Sequence, residues 1–362
     1  MSLWVDKYRP RSLDQLSFHD SITNNLRALA STGDFPHLLV YGPSGSGKKT
    51  RIYSTLHELY GPSVEKLKID VKKFTTTSNR KLEFNVLSSP HHLEITPSDM
   101  GNNDRVVIQD LLKDVASTEQ VDFTAKASSP RHKFKVVVIN EADSLSRDAQ
   151  AALRRTMEKY SSNIRLIMVC NTTSSIISPI KSRTLLVRIP APTTAEIASV
   201  LTTIADKETV KFNPGDEETR QKFFEQLATN CNRNMRRALL CFETISMQTE
   251  TININNPKQA IVDLDWEVII SNLAQSIYTQ RTVANLAKVR VVLYELLSHC
   301  IPPAVILKTL LFDLIKLANK DSLTRDLVGV AAVFDERLSL GQKSIFHLEG
   351  FVAKAMLAID SI

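Results

Sequence analysis

Apolar positions along the chain follow two periods, and the places where the period changes mark its elements. Leu38-Leu39-Val40, residues 134–139 and residues 166–170 are short, nearly unbroken apolar runs, the pattern of strands buried on both faces. Leu93-Glu94-Ile95 and residues 185–189 add two shorter candidates. Between these runs the spacing becomes helical. Ile22, Leu26 and Leu29 form one stripe, with Asp20 as its expected cap, and Val107, Leu111 and Leu112 form another inside a helix over 104–115. Residues 49–60 and 146–160 are also helix-compatible. Residues 64–86 alternate in part around Thr75-Thr76-Thr77-Ser78-Asn79, which predicts a hairpin with a basic flank. Residues 96–103 read as a loop. Strands alternating with helices predict an α/β domain with a parallel sheet.

Beyond Pro190-Ala191-Pro192 the strand pattern stops. Thr193 and Glu196 have capping-box spacing ahead of a helix to Ala205, and the chain reads as helical to Gln248, with Asn234 to Ala238 opening the last helix. The polar stretch 251–257 suggests a linker. From Trp266 onward everything is helical, with stripes at Leu286, Val289, Leu293 and Leu296 and at Ile345, Leu348, Val352, Ala355 and Ile359. These shifts divide the chain into residues 1–190, 191–252 and 253–362.

Composition changes this picture little. A chain of 362 residues with 43% apolar and 23% charged side chains is ordinary for a globular protein. The formal charge of +6 permits contact with a polyanion without requiring it. Cys170, Cys231, Cys241 and Cys300 lack metal-site spacing, which favours buried, reduced thiols in a cytosolic or nuclear protein. The early charges of Asp6 and Lys7 argue against a signal peptide, and no apolar run is long enough to span a membrane, so no membrane partner is expected.

Chemistry enters at residues 42–50. Gly42, Gly47 and Lys48 satisfy Gly-x4-Gly-Lys, with Pro43, Ser44, Gly45 and Ser46 between them, behind a strand and ahead of a helix. Backbone N–H groups, a helix N-terminus and the Lys48 ammonium together make a phosphate cradle, so the expected ligand is ATP or ADP. The next position should carry a hydroxyl for Mg²⁺, but it is Lys49. Thr50 comes one residue late, about 100° further round the helix. The strand over 134–139 ends in Asn140 where P-loop ATPases place a metal-holding Asp, while Glu141 keeps the position that aligns the attacking water. Two independent parts of the metal site are thus altered while the cradle is intact, so Mg²⁺ is expected to bind weakly or not at all and no metal ligands are assigned. Asn171, at the end of the strand over 166–170, is placed to meet a phosphate or the water. Arg105, at a helix start that Asn103 is expected to cap, could receive a backbone phosphate.

Taken in order, Trp4 to Pro10, the P-loop, Asn140 to Asp143, Ala149 to Glu158, Ser182-Arg183 and Met235 to Leu239 resemble the AAA+ clamp-loader family, specifically the small subunits of eukaryotic replication factor C. The resemblance covers essentially the whole chain. It includes a subtype with a hairpin insert before Leu93 and an altered P-loop.

The resemblance implies a RecA-like domain, a helical lid and a helical collar joining five different subunits around primer–template DNA. Its expected partners are four other subunits, a PCNA-type sliding clamp and DNA bound without regard to sequence, in the nucleus. Val5, Tyr8 and Arg9 would border adenine and ribose, with Ser17 near the base. Asn171 would be the sensor-1 group and Arg236 the sensor-2 arginine. Arg183 would act in trans as an arginine finger, although Thr184 replaces the family's Cys. DNA contact would come from helix starts such as the one at Asn103 and Arg105. Two competing readings remain, a free-standing P-loop ATPase with its own substrate and a scaffold that no longer binds nucleotide.

Overall fold

The computed structural model describes residues 2–75, 81–117, 134–213, 215–249, 251–254, 264–318 and 320–360. The tip of the basic hairpin lies outside them. The chain divides into two compact units, Met1–Ile261 and Val262–Ile362.

The first unit is built on a seven-stranded sheet. In chain order its strands are β1 (Leu38–Tyr41), β2 (Lys68–Thr75), β3 (Lys81–Ser88), β4 (His92–Ile95), β5 (Lys135–Ile139), β6 (Ile164–Cys170) and β7 (Leu185–Arg188). Their spatial order is β2-β3-β4-β5-β6-β1-β7. The five strands from β4 to β7 in that order run parallel, while β2 and β3 form an antiparallel hairpin added at the β4 edge.

The apolar runs follow from this placement, because the central strands are covered on both faces. Leu39, Val137, Ile139, Leu166 and Met168 pack with Ile108, Leu111 and Leu153 on one face. Leu38, Val40, Val136, Val138 and Ile167 pack with Ile52 and Leu56 on the other. The helices concerned are α3 (Lys48–Tyr60), α4 (Asp104–Ser117) and α5 (Arg147–Lys159). Ahead of them lie the one-turn α1 (Trp4–Lys7) and α2 (Asp20–Ser31).

Several details depart from the sequence reading. Asp20 is the first residue of α2 and not its cap. His19 precedes it in a left-handed conformation, and Asp20 lies in the first turn, where its charge complements the helix dipole. Residues 97–103 form a 3₁₀ segment kinked at Gly101, where φ is 52°. Cys170, Cys231 and Cys241 are buried free thiols, but Cys300 is exposed.

After a short α6 (Ser178–Lys181) and β7, the first unit continues with α7 (Thr194–Lys207), α8 (Glu217–Asn230) and α9 (Met235–Gln248). The Thr193–Glu196 capping box forms as the spacing predicts. The segment is not purely helical: β8 (Lys211–Asn213) pairs in parallel with β9 (Thr251–Asn253), inside the stretch read as a linker. Three-residue strands are too short for a period to show, and only their pairing across some forty residues defines them.

The second unit consists, among the described residues, of α10 (Asp265–Thr279), α11 (Val283–Ser298), α12 (Pro303–Leu317), α13 (Asp321–Leu340) and α14 (Ser344–Asp360). Both predicted stripes point into its core, with Val289, Leu293, Leu296, Leu348, Val352 and Ala355 nearly or fully buried. No helix among the described residues is long and apolar enough to cross a membrane.

Candidate nucleotide site

The cradle forms where β1 turns into α3. Gly42, Gly45 and Gly47 have φ of 154°, 74° and 82°. At Gly42 a Cβ would stand 1.9 Å from the Ile189 carbonyl oxygen, and at Gly45 it would stand 1.8 Å from Asn234 Oδ1. The loop therefore needs glycine twice over, for its backbone angles and for close approach by β7's end and by α9. Lys48 Nζ donates to the carbonyls of Gly42 (2.7 Å) and Pro43 (2.8 Å) and to Asn171 Oδ1 (3.0 Å). Asn171 N–H in turn donates to Asp143 Oδ2 at 3.0 Å. Burial holds the Lys48 ammonium below its ordinary pKa, with Asp143 opposing that shift and Arg236 adding to it. An arriving phosphate would relieve that charge deficit. Ser46 Oγ is buried without a partner among the described residues.

Two cavities meet at this loop. One, of about 270 Å³, is lined by Val5, Tyr8, Arg9, Ser17, Phe18, Gly45, Gly47 and Thr50, and across from them by α7 and by Met235, Arg236 and Leu239 of α9. The other, of about 220 Å³, is lined by Ser44, Lys48, Lys49, Asn140, Glu141, Asn171 and again Arg9, Gly45, Gly47, Thr50 and Arg236. Of the residues named for base, ribose and phosphates, all but Gly42, Pro43 and Ser46 line one or other of these adjoining spaces.

Local packing explains why the N-terminal arm sits there. Trp4 N–H donates to Glu243 of α9 at 3.1 Å, and its ring meets Phe242 edge-on at 5.3 Å. Tyr8 and Lys7 both donate to Glu208 Oε1, each at 2.5 Å, which lowers the Glu208 carboxyl pKa. Below the cavity the fully buried Arg51 donates to Thr23 Oγ1 and to the Phe18 carbonyl and stacks on the Phe18 ring, holding the segment that carries Ser17.

At the metal corner the structure adds a residue to the sequence reading. Lys49 and Asn140, which occupy the two altered parts of the metal site, both end on Glu94. Lys49 Nζ lies 2.7 Å and Asn140 Nδ2 2.5 Å from the same oxygen, Glu94 Oε1. Tyr53 Oη donates to the other carboxylate oxygen. Glu94 is only 4% exposed, at the buried end of β4 beside β5. Glu94 and Tyr53 escaped the sequence reading. The available signal was a lone carboxylate within the apolar run Leu93-Glu94-Ile95. The corner lacks the usual ligand pair for a divalent ion: an ammonium takes the hydroxyl's position, the strand-end amide is neutral and Glu94 is committed to both, while the other carboxylates on the cavity wall are Glu141 and Asp143, the latter accepting from Asn171. No cluster of His, Cys, Asp and Glu among the described residues is arranged to hold a metal. Glu141 is exposed, in a left-handed backbone conformation, and accepts from Ser98 Oγ at 3.2 Å.

Arg183 lies elsewhere, just before the edge strand β7. Its guanidinium is 37% exposed and pairs with Glu158 of α5 at 2.7 Å, while donating to the Pro179 carbonyl. Glu158 also meets Arg154, and Arg147, Ala151, Arg154 and Glu158 share an exposed face of α5. Arg105 is exposed at the start of α4. The buried Asp104 carboxylate accepts from the Arg105 N–H at 2.7 Å and bonds to Ser146.

Three families match successive parts of the chain. Residues 18–193 match "DNA polymerase III, delta subunit", residues 199–247 "RCF1/5-like, AAA+ ATPase lid domain", and residues 266–362 "Replication factor C subunit 3, C-terminal domain". Replication factor C subunit 5 of Neurospora crassa is 55% identical over 98% of this chain and 97% of its own length. The chain belongs to the replication factor C family. Subunit 5 of Saccharomyces cerevisiae is 51% identical over 99% of the chain and 100% of its own length, and subunit 3 of Bos taurus is 49% identical over 98% and 96%. RuvB of Thermotoga maritima, at 15% identity, superposes with a TM-score of 0.52 over 79% of this chain and 85% of that one, a likeness of fold alone. As a replication factor C subunit, the chain is a clamp-loader subunit with an AAA+ ATP-binding fold and a helical C-terminal domain.

Proposed function

We propose that this chain works within a five-subunit loader that uses ATP to open a PCNA-type sliding clamp and seat it on primer–template DNA in the nucleus. In that assembly its own site retains ATP or ADP and hydrolyses it slowly or not at all. Residues 191–252 act as the lid over the base, and residues 253–362 as the collar. The observation that carries the reading is the contrast between an intact cradle and a metal corner closed by Lys49, Asn140 and Glu94. Hydrolysis at P-loop sites draws on a divalent ion at the phosphates, and Lys49 and Asn140 stand where its usual hydroxyl and acid ligands would be.

The contribution to turnover then comes from Arg183, partly exposed and paired with Glu158, which exchanges that partner for the triphosphate of a neighbouring subunit. An arginine finger supplied in trans is worth on the order of 10³–10⁵ in rate at the site it serves. Arg105 and the first turn of α4 are proposed to track DNA phosphates. That contact would be sequence-independent and weaken with salt.

ATPase assays on the reconstituted complex test the division of labour. Arg183→Ala is expected to suppress hydrolysis strongly and Lys48→Ala to leave it nearly intact. Equal large losses from both would defeat the reading. Vigorous turnover by the isolated chain would support a free-standing ATPase instead.

A further inference from the structure

We propose that the Lys49 ammonium, seated on Glu94, is the resident cation of this site, so that nucleotide binding here does not require a divalent metal. The inference rests on the reading that the cradle holds a nucleotide.

P-loop sites hold their metal between the residue after the loop lysine and the acid at the end of another strand of the sheet, here β5, one strand removed from β1. In this chain those positions are Lys49 and Asn140, and both converge on Glu94 Oε1, at 2.7 and 2.5 Å. A carboxylate that is 4% exposed must be compensated, and its ion-pair partner is Lys49. A metal entering here would face an ammonium, and displacing that ammonium would strip a buried charge of its counterion.

The remaining chemistry agrees. An ammonium has three N–H donors, and Glu94 takes one. Lys49 is part of the wall of the phosphate-end cavity, shared with Lys48 and Arg236, so two donors are left for phosphate oxygens. Asn140 lines the same cavity. Its Nδ2 donates to Glu94 and, at 3.4 Å, to Thr96 Oγ1, and its buried Oδ1 accepts from no group among the described residues. Tyr53 fixes the other Glu94 oxygen, so the carboxylate cannot swing toward an incoming ion without losing that bond. Glu94 is therefore the positioning residue that turns a substituted P-loop into a metal-free one.

The test is the affinity of the full-length chain for a fluorescent N-methylanthraniloyl-ADP, titrated in Mg²⁺ and again in EDTA. The wild-type dissociation constant is expected to agree between the two buffers within about twofold. The double variant Lys49→Thr/Asn140→Asp restores hydroxyl and acid, and chelation is expected to weaken its binding about tenfold or more. A tenfold loss on chelation in the wild type would overturn the proposal, as would a double variant that binds without responding to metal. If the double variant does not fold, Lys49→Met in EDTA replaces it: roughly tenfold weaker binding supports a resident cation, and unchanged binding overturns it. Wild-type protein that binds in neither buffer would remove the nucleotide-binding reading itself, whereas binding that demands Mg²⁺ removes only the resident cation.

Discussion

The two sides of the P-loop have been treated differently. On the cradle side the backbone is unaltered: Gly42 and Gly45 sit where no Cβ would fit, and Lys48 is held by two loop carbonyls and Asn171. On the metal side a lysine, an amide and a buried glutamate satisfy one another. Holding an anion and activating it are thus separable. The first depends on backbone N–H groups and loop shape, the second on a few side chains that can change together without disturbing the loop. The Lys49–Glu94–Asn140 contacts also mean that the corner has acquired structure of its own.

That contrast can be broken or sharpened by substitution. The largest effect is expected for Gly42→Ala, whose Cβ would overlap the Ile189 carbonyl at an unfavourable φ. Urea unfolding should show a loss of about 4 kcal/mol or more, and a mild effect would mean the cradle is not rigid. Glu94→Ala should cost less, about 1–3 kcal/mol, since the freed Lys49 is partly exposed and can be solvated. The loss should shrink when Lys49 is already Met. Additive losses would show that the corner is not a unit.

Acid titration probes the same strand. Burial pushes His92 down to about 4 from an ordinary value of 6.5. With the folded pKa below the unfolded one, the stability it contributes is present above about pH 6.5 and is lost as pH falls toward 4, on the order of 1–3 kcal/mol. His92→Leu should flatten that limb in thermal melts across this range, and an unchanged limb would place the dependence elsewhere. The smallest effect is expected for Thr50→Val. Thr50 lines both cavities, but its hydroxyl comes one residue past the metal position, so its loss is expected to change ADP affinity by less than about twofold. A tenfold loss would show that Thr50 has taken over the missing hydroxyl's work.

Much of this was legible in the sequence because it was local. The spacing of Gly42, Gly47 and Lys48, the unbroken run into Ile139 and the capping box at Thr193 each report a backbone preference within a few residues. The nucleoside-end residues Val5, Tyr8, Arg9 and Ser17 carry no pattern of their own and were placed through family resemblance alone. Glu94 was passed over because a single acid between two aliphatic residues looks like the outward position of a half-buried strand. The position of β4, between β3 and β5, is what buries it. The pairing of β8 with β9 was invisible for a similar reason.

The sequence by itself determined the periods that separate sheet from helices, the shape of the phosphate loop, and the fact that its hydroxyl and acid are gone. Those are properties of short windows, where side-chain type and backbone preference act directly. Only the tertiary structure decided that Lys49 and Asn140 meet on Glu94, that α1 and α9 line one cavity beside the loop, and that Arg183 rests on Glu158 near a sheet edge. Each of these depends on distances between segments far apart in the chain, which the order of strands sets and no local spacing encodes.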